Sequence, residues 1–237
     1  MSSMPTDQLP EGDEKRSAVQ SMFDTIAPRY DLVNRIMTFR MDVGWRKKTR
    51  QAMRLQPGSV ILDLAAGTGD FCVDLAKNGH RPIGVDLSYG MLAAARTDAP
   101  LVQGDLLQLP MADASVDAAV CGFALRNLVS LPPFFEELHR VVKPGGRIGL
   151  LDVSKPDNAI LEWGHGFYFN RLVPLIGGAL SNRSAYAYLP KSVSYLPPPA
   201  EMMAMLERAG LVDVDRTQLS GGISQLITAT RPDTTGD

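Results

Sequence analysis

Short apolar runs along the chain alternate with segments whose apolar residues recur every three or four positions. The runs predict buried strands, and the three-to-four spacing predicts helices that pack on them. The predicted strands span residues 60–64, 82–86, 101–105, 115–122, 147–153, 212–219 and 223–231. Predicted helices follow the first, second and fourth of these strands, and this alternation predicts a parallel sheet with right-handed crossovers.

Helical spacing extends over residues 17–30, where Pro28 ends the first predicted helix, and the other predicted helices span residues 71–78, 88–96, 133–142 and 200–209. Ser88 suits the N-cap of the third helix. Residues 143–146, Lys-Pro-Gly-Gly, predict a tight turn. Ser220-Gly221-Gly222 separates the last two strands and is typical of a hairpin. The chain therefore predicts an α/β fold with a seven-stranded, mostly parallel sheet whose last strand is antiparallel.

Three segments fall outside this alternation. Residues 1–16 and 232–237 predict disordered tails, which leaves residues 17–231 as a single domain. Residues 156–199 are rich in aromatic side chains, Tyr168 among them, and predict a helical insertion over the carboxyl edge of the sheet. The insertion is either a lid or apolar substrate wall, or helices that pack on the core.

Composition and charge exclude several classes of protein. The 237 residues carry a formal net charge of −2, which gives no indication of nucleic-acid binding. Cys72 and Cys121 are too few for a disulfide framework or, alone, a zinc site, and we predict no metal. The N-terminus does not resemble a signal peptide, and no apolar run approaches the ~18 residues that span a bilayer. We expect a soluble cytoplasmic protein.

Residues 29–54 form a locally basic segment, with eight basic and two acidic side chains interleaved with apolar ones. A basic amphipathic stretch of this kind can dock on an anionic membrane surface. The same pattern is also typical of a solvated helical face. Peripheral contact with the inner face of the cell membrane is therefore one of two open interpretations. The oligomeric state, a homodimer included, stays open as well.

The strand at 60–64 leads into a glycine-bearing turn and then into a helix. Gly67 and Gly69 lack a β-carbon, so the turn can bend sharply and lie against a ligand. Asp70 can cap the helix that follows, whose free N–H groups also favour polar ligand atoms. Such a turn binds nucleotide-like cofactors.

One acidic residue lies at or near the carboxyl end of each of the first three predicted strands. Asp63 would repel a pyrophosphate but suits a ligand with an ammonium group, and Cys72 stands where a dinucleotide fingerprint has its third glycine. Asp86 lies nineteen residues after Gly67, close to the ~20-residue spacing at which an acid accepts ribose hydroxyls. Asp105, at the end of the third strand, can accept a hydrogen bond from an adenine amino group.

The turn resembles motif I of class I S-adenosylmethionine-dependent methyltransferases, with NAD-binding folds as the alternative. A larger set of motifs, in one order, resembles the ubiquinone/menaquinone-biosynthesis C-methyltransferase family over roughly residues 15–231. The motifs are Ala27-Pro28-Arg29-Tyr30-Asp31-Leu32-Val33-Asn34, the turn 63–70, Leu125-Arg126-Asn127, Lys143-Pro144-Gly145-Gly146, Ser154-Lys155-Pro156, Tyr186-Ala187-Tyr188-Leu189 and Leu219-Ser220-Gly221-Gly222.

The resemblance implies the Rossmann-like fold of class I methyltransferases, S-adenosyl-L-methionine as donor and a prenylated hydroquinone as acceptor. Residues 9–16 are similar to actinobacterial menaquinone enzymes, which favours demethylmenaquinone. Arg40, Gly122 and Ile227 stand where the family usually has glycine, serine and histidine, and these departures leave the choice of quinone open. The predicted cofactor-binding residues are Asp63, Gly67, Thr68, Gly69, Asp86, Leu87, Asp105, Leu106 and Gly122.

Alignment of the two reactants should contribute most to methyl transfer, because it can supply ~7–11 kcal/mol of the barrier. Arg126 can hold a phenolate or polarise a water that takes its proton, or can form a salt bridge at the sheet edge. His165, in the insertion, is the candidate base. Asn127 can orient the loop, and Tyr30 can close over the cofactor or belong to the core.

Two alternative functions stay open. One is an O- or N-methyltransferase that acts on another apolar small molecule. The other is a regulatory protein that binds S-adenosylmethionine without transferring its methyl group.

Overall fold

A computed structural model of the chain describes residues 11–154, 188 and 192–233. His165, Tyr168 and most of the predicted insertion lie outside the described residues. The strands are β1 (Val60–Leu64), β2 (Arg81–Asp86), β3 (Leu101–Gln103), β4 (Val116–Gly122), β5 (Val142–Val153), β6 (Val212–Leu219) and β7 (Ser224–Thr230). The helices are α1 (Gly12–Ile26), α2 (Tyr30–Met37), α3 (Met41–Met53), α4 (Asp70–Lys77), α5 (Tyr89–Ala93), α6 (Pro132–Val141) and α7 (Pro199–Arg208).

The strands form one seven-stranded sheet in the order β3-β2-β1-β4-β5-β7-β6. The pairs among β1 to β5 are parallel, and β7 is antiparallel to both of its neighbours. The predicted topology, with its antiparallel last strand, is therefore confirmed. The chain runs outward from β1 to β3 and then crosses to β4, so the strand order reverses between β1 and β4. In open α/β sheets, ligands bind in the crevice at this switch point, outside the carboxyl ends of the strands.

The middle of the sheet is buried on both faces, as expected of parallel strands covered by helices. In β1 the side chains of Ile61, Leu62 and Leu64 are fully buried, and Asp63 is the one polar side chain, with 1% exposed. Phe134 and Phe135 of α6 pack in the same core as Leu62 and Leu64. This packing holds β1 rigidly, and with it the loop that follows.

The N-terminal region differs from its prediction. Helix α1 begins at Gly12, so the prediction of a disordered tail is wrong for residues 12–16; residues 1–10 lie outside the described part. The helix ends at Ile26, where a 3₁₀ turn (Ala27–Arg29) separates it from α2. Lys15 explains the early start, because its buried ammonium group donates a hydrogen bond to the carbonyl of Leu128. A tertiary contact thus orders a polar segment.

Other differences concern element ends. The third strand stops at Gln103, and Asp105 lies in the turn that follows it. Helix α5 is shorter than predicted, although Ser88 is its N-cap, as predicted, and accepts from the backbone N–H of Met91. The predicted turn at 143–146 lies within β5, where the pairing with β4 shifts register. In the described part of the chain, no helix has both the length and the apolar character that crossing a bilayer requires.

Candidate active site

Two adjoining cavities lie at the carboxyl ends of β1, β2 and β4. The large cavity holds about 690 Å³ of empty space and the small cavity about 440 Å³, and both volumes include space that is open to solvent. The residues that line both are Tyr30, Ala65, Gly67, Gly122 and Phe123. Of the predicted cofactor residues, the large cavity has Gly67, Asp86, Leu87, Asp105, Leu106 and Gly122, and the small cavity has Asp63, Gly67, Thr68 and Gly122.

Asp86 ends β2 at the wall of the large cavity, with 9% of its surface exposed. Its Oδ2 accepts from the backbone N–H of Gly67 at 2.8 Å, and its Oδ1 accepts from that of Ser88 at 2.8 Å. Burial raises the pKa of Asp86, and these two hydrogen bonds oppose the shift. Because a carboxylate has about four acceptor sites, each oxygen can still accept one hydroxyl.

The two glycines of the turn have different environments. A β-carbon added to Gly67 (φ +56°) would have no protein atom within 4 Å, so this backbone lies open to both cavities. A β-carbon on Gly69 (φ +85°) would lie 2.6 Å from Cγ2 of Thr97. Gly69 is not among the residues that line either cavity. Gly67 thus leaves room for a ligand, whereas Gly69 lets the turn pack against Thr97.

Asp63 reaches the small cavity from β1, and its Oδ2 accepts from the backbone N–H of Cys72 at 3.1 Å and from its thiol at 3.2 Å. Cys72 therefore replaces the third fingerprint glycine with a residue that holds this carboxylate. Burial raises the pKa of Asp63 to about 7, against the lowering effect of the bonds from Cys72 and the charge of Arg46. A cationic ligand group in the small cavity would favour the ionised form.

Asp70 does not cap α4 as predicted, because the N-cap is Gly69 and no side-chain cap bond forms. Its Oδ1 instead accepts from Arg35 of α2 at 2.7 Å, and its Oδ2 accepts from Arg46 of α3 at 3.0 Å. Ion pairs across the loop thus tie the N-terminal helices to the turn. The sequence shows that the 29–54 segment is rich in basic residues, but it does not show which carboxylates these residues pair with.

Thr68 lines the small cavity, and its hydroxyl donates to Oδ1 of Asp31 in α2. Asp31 is not among the site residues predicted from the sequence. Its place in the Arg29-Tyr30-Asp31 motif is the one sequence signal that could have identified it. The hydrogen bond fixes the threonine side chain at the edge of the cavity.

Helix α1 covers the large cavity with Val19, Gln20 and Phe23. Gln20 Nε2 donates to the carbonyl of Leu87 at 3.2 Å, and Arg16 pairs with Oδ2 of Asp105 at 2.9 Å. Sequence reasoning missed these contacts. Gln20 lies in the predicted first helix and Arg16 immediately before it, and no local sequence pattern indicates the partner of either residue.

Asp24 of α1 completes the contact with α5. Its Oδ1 accepts from the hydroxyl of Ser88 and, at 2.8 Å, from the backbone N–H of Gly90. A β-carbon on Gly90 would lie 2.9 Å from Cα of Asp24, so glycine allows this close approach. Helix α1 is thereby held over the cavity near its carboxyl end as well as at its start.

Arg126 and Asn127 lie in a 3₁₀ turn (Leu125–Asn127) after β4. Arg126 forms a buried ion pair with Asp152 of β5, which is the salt bridge that the sequence left open. It is not among the residues that line either cavity, whereas Asn127 lines the large one. Oδ1 of Asn127 and Oδ2 of Asp152 are buried and have no hydrogen-bond partner among the described residues.

Tyr30 lines both cavities, so it belongs to the site rather than to the core alone. Burial raises the pKa of its phenol to about 12, and the nearby charge of Arg126 opposes this shift. The tyrosine is therefore neutral at physiological pH and can donate a hydrogen bond. His165 and Tyr168 lie outside the described residues.

Comparison with solved structures supports the fold. A methyltransferase of Thermotoga maritima, described as S-adenosylmethionine-dependent, matches with a TM-score of 0.66 at 18% identity, over 90% of this chain and 99% of the other. A phosphoethanolamine N-methyltransferase of Haemonchus contortus in complex with S-adenosyl-L-methionine matches with a TM-score of 0.60 at 14% identity, over 79% and 52%. The predicted Rossmann-like methyltransferase fold is confirmed.

Sequence relatives are closer. The chain is 42% identical to the demethylmenaquinone methyltransferase of Mycolicibacterium vanbaalenii, over 90% of this chain and 94% of the relative. It is 37% identical to the enzyme of the same name from Desulfitobacterium hafniense, over 93% and 92%. A family model, the ubiE/COQ5 methyltransferase family, matches residues 11–231. The chain belongs to the ubiE/COQ5 methyltransferase family.

Proposed function

We propose that the protein transfers a methyl group from S-adenosyl-L-methionine to a ring carbon of a demethylmenaquinol-type hydroquinone in menaquinone biosynthesis. The observation that carries the proposal is the pair of adjoining cavities, each with a buried carboxylate at one end and Gly67 between them. The names of the relatives support the acceptor.

The large cavity suits the nucleoside of the donor. Asp86 would accept the two ribose hydroxyls on the acceptor sites that its backbone donors leave free. Asp105 would accept from the adenine amino group, and Leu87 and Leu106 would contact the adenine ring. Gly67 leaves room for the nucleoside because no β-carbon occupies the opening.

The small cavity suits the amino-acid end of the donor. Asp63 would accept from its ammonium group, and Thr68 and Asp31 would fix the edge beside it. S-adenosylmethionine supplies a methyl group that is already activated by its sulfonium. Residues shared by the two cavities, Tyr30 and Gly122 among them, would then border the reacting centre.

On the acceptor side, Arg126 would hold the phenolate that makes the ring carbon nucleophilic. A guanidinium carries five N–H donors, and the bond from Nη1 to Asp152 is the one side-chain bond that Arg126 makes to the described residues. Asn127 would orient the same turn. We keep His165 as the candidate base and Tyr168 as part of the acceptor wall.

The acceptor also suggests where the enzyme works. A prenyl chain partitions into a lipid bilayer, because each buried methylene contributes roughly 0.8 kcal/mol. We infer a cytoplasmic protein that contacts the inner face of the cell membrane peripherally.

The test is transfer of labelled methyl from S-adenosylmethionine to demethylmenaquinol, compared with simple phenols and amines. The proposal expects label on a ring carbon of the quinol, identified by NMR of the product. Label on oxygen or nitrogen of another acceptor would replace it with the O- or N-methyltransferase alternative. Donor binding without transfer to any acceptor would favour the regulatory protein.

A further inference from the structure

Exposed apolar side chains are concentrated at one corner of the molecule. Of the seven large apolar side chains exposed in the described part of the chain, four lie where α2 turns into α3. They are Leu32 (59% exposed), Ile36 (39%), Phe39 (70%) and Val43 (43%), and we call them the apolar corner. A cluster of this kind marks an interaction site, whereas single exposed apolar residues do not.

Helix α2 connects this corner to the candidate active site. Tyr30 and Asn34, four residues apart, line the small cavity from one face of the helix. Leu32 and Ile36, also four residues apart, are exposed on the other. Because residues four apart share a helix face, one face of α2 borders the site and the opposite face borders solvent. The two residues of the apolar corner on α2, Leu32 and Ile36, thus lie across one helix from the small cavity.

The charges around the corner have one sign. Between residues 27 and 54, all the exposed charged side chains are basic. They are Arg29, Arg40, Lys47, Lys48 and Arg54. The two acids of this range are engaged internally, Asp31 by the hydroxyl of Thr68 and Asp42 by Arg46. The chain as a whole has a net charge of −2, so the excess of positive charge is local.

The backbone at the corner adopts an unusual conformation. Phe39 (φ +49°) and Arg40 (φ +61°) are consecutive non-glycine residues in the left-handed region. Residues with a β-carbon rarely adopt this backbone conformation. Such outliers persist where the fold around them compensates, and they concentrate at functional sites. Here the conformation places an exposed aromatic residue next to an exposed arginine.

We propose that the apolar corner and the basic residues beside it, Arg40 and Lys47, dock the protein on an anionic lipid bilayer. Apolar side chains in the acyl boundary with cations at the headgroups are the usual arrangement of an interfacial anchor. The inference rests on the proposed function, because it would hold the site next to a bilayer that contains the prenylated acceptor. It specifies the surface that makes the contact.

The first experiment measures binding of the full-length protein to sedimented vesicles. The proposal expects binding to vesicles of phosphatidylglycerol and phosphatidylcholine, weaker binding at high salt, and little binding to phosphatidylcholine alone. Each basic residue near an anionic surface contributes roughly fivefold in affinity. Arg40→Gln/Lys47→Gln should therefore bind roughly 25-fold more weakly at low salt.

A matched control removes the same charge elsewhere. Lys77→Gln/Arg81→Gln changes two exposed basic residues near the amino end of β2 and should bind as the unchanged protein does. Equal weakening by both pairs would mean that total charge, rather than this corner, decides binding. That result, or failure of the unchanged protein to bind anionic vesicles, would overturn the proposal.

A second variant tests the apolar residues with the charges intact. Leu32→Ser/Val43→Ser should reduce vesicle binding and preserve its dependence on salt. The unchanged protein could instead form a concentration-dependent dimer and fail to bind vesicles. If this variant then abolishes the dimer, the corner is a contact between copies of the chain and the bilayer proposal is refuted.

Activity on two acceptors separates this inference from the proposed function. With a short-chain, water-soluble demethylmenaquinol, the corner variants should turn over like the unchanged protein. With a long-chain acceptor in anionic vesicles, they should be slower. If neither acceptor is methylated by the unchanged protein, the proposed function fails while the vesicle result stands independently.

Discussion

The guanidinium of Arg126 donates to Oδ1 of Asp152, and only 7% and 0% of the two residues are exposed. The pair joins the turn after β4 to the carboxyl end of the neighbouring strand β5. Oδ1 of Asp152 also accepts from the backbone N–H of Val153 at 2.7 Å. This second hydrogen bond fixes the carboxylate, and the carboxylate in turn orients the arginine. Asp152 is thus a positioning residue for Arg126.

Asp152→Asn should lower turnover because it releases the guanidinium. A displacement of about 1 Å at a reacting group can cost ~100-fold, so we expect kcat to fall roughly tenfold to 100-fold. The affinity for S-adenosylhomocysteine should change little. The variant should also melt at a lower temperature, since a buried charge without its partner costs about 3–5 kcal/mol.

A double variant separates the positioning effect from loss of stability. Arg126→Gln/Asp152→Asn removes both charges, so it should regain most of the melting temperature that Asp152→Asn loses. It should nevertheless remain as slow as Arg126→Gln alone. Recovery of turnover together with stability would show that the pair is only structural.

Gly67→Ala and Gly69→Ala should have different effects although both introduce a left-handed alanine, which costs ~1–2 kcal/mol. At position 67 the new methyl group meets no protein atom and occupies the opening between the cavities. This variant should stay folded and lose affinity for S-adenosylhomocysteine. At position 69 the methyl group would lie 2.6 Å from Cγ2 of Thr97, so this variant should lose more stability.

Calorimetry of ligand binding and thermal melting distinguish the two effects. Thr97→Ser added to Gly69→Ala removes Cγ2 but keeps the hydroxyl that accepts from the backbone N–H of Ala99. The double variant should therefore recover part of the lost melting temperature. If Gly67→Ala bound the ligand normally, this opening would not be the donor site.

The sheet could be predicted because short stretches of sequence determine its strands. Apolar runs and the Ser220-Gly221-Gly222 hairpin specify strands and their connection without reference to distant residues. The spacing from Gly67 to Asp86 is also local to one strand–helix–strand unit, and the structure joins them by a hydrogen bond. Local patterns therefore sufficed for the fold and for the frame of the donor site.

The contacts that close the site depend on residues far apart in sequence. Lys15 is ordered by a carbonyl 113 residues away, and Arg126 by a carboxylate 26 residues away. The residues next to Lys15 in sequence do not indicate that its side chain is buried, and its charge favours solvent. The sequence therefore predicts a disordered tail here. Asp152 sits in an apolar strand with no local sign of its partner. Such pairs become visible only in the folded chain.

Lys15 should hold α1 closed over the large cavity. Its Nζ lies 2.6 Å from the carbonyl of Leu128 and 3.5 Å from the centre of the Tyr195 ring. Lys15→Met keeps much of the apolar stem but removes both interactions. A hydrogen bond to a charged group contributes about 1.5–3 kcal/mol, so amide exchange in Gly12–Ile26 should accelerate at least roughly tenfold.

Exchange in α7 serves as the internal reference and should not change. Arg16→Met is the matched control, because the side chain of Arg16 is 44% exposed and its ion pair with Asp105 should contribute at most about 1 kcal/mol. Dissociation of S-adenosylhomocysteine should accelerate more for Lys15→Met than for this control. Equal exchange in Lys15→Met and the unchanged protein would remove the lysine from the closure of α1.

Asp63 should make stability depend on pH. Its pKa is raised by burial from an ordinary value of 3.8 to about 7, so the folded protein keeps a proton that the unfolded chain releases between these values. The stability that the neutral carboxyl contributes is full below pH ~4 and is lost as pH rises through about 7. Relative to the unchanged protein, Asp63→Asn should therefore gain stability from pH ~4 to ~7 and level off above, as measured by denaturant unfolding.

The same carboxyl should link donor binding to proton release. An ammonium group favours the ionised form of Asp63, so at pH ~6 binding of S-adenosylhomocysteine should release up to one proton, and affinity should fall up to tenfold for each pH unit below about 7. Calorimetry in buffers of different ionisation enthalpy measures the number released. Asp63→Asn should bind more weakly and without this release, because no carboxyl remains to titrate. A variant that released as many protons as the unchanged protein would place the ammonium group elsewhere.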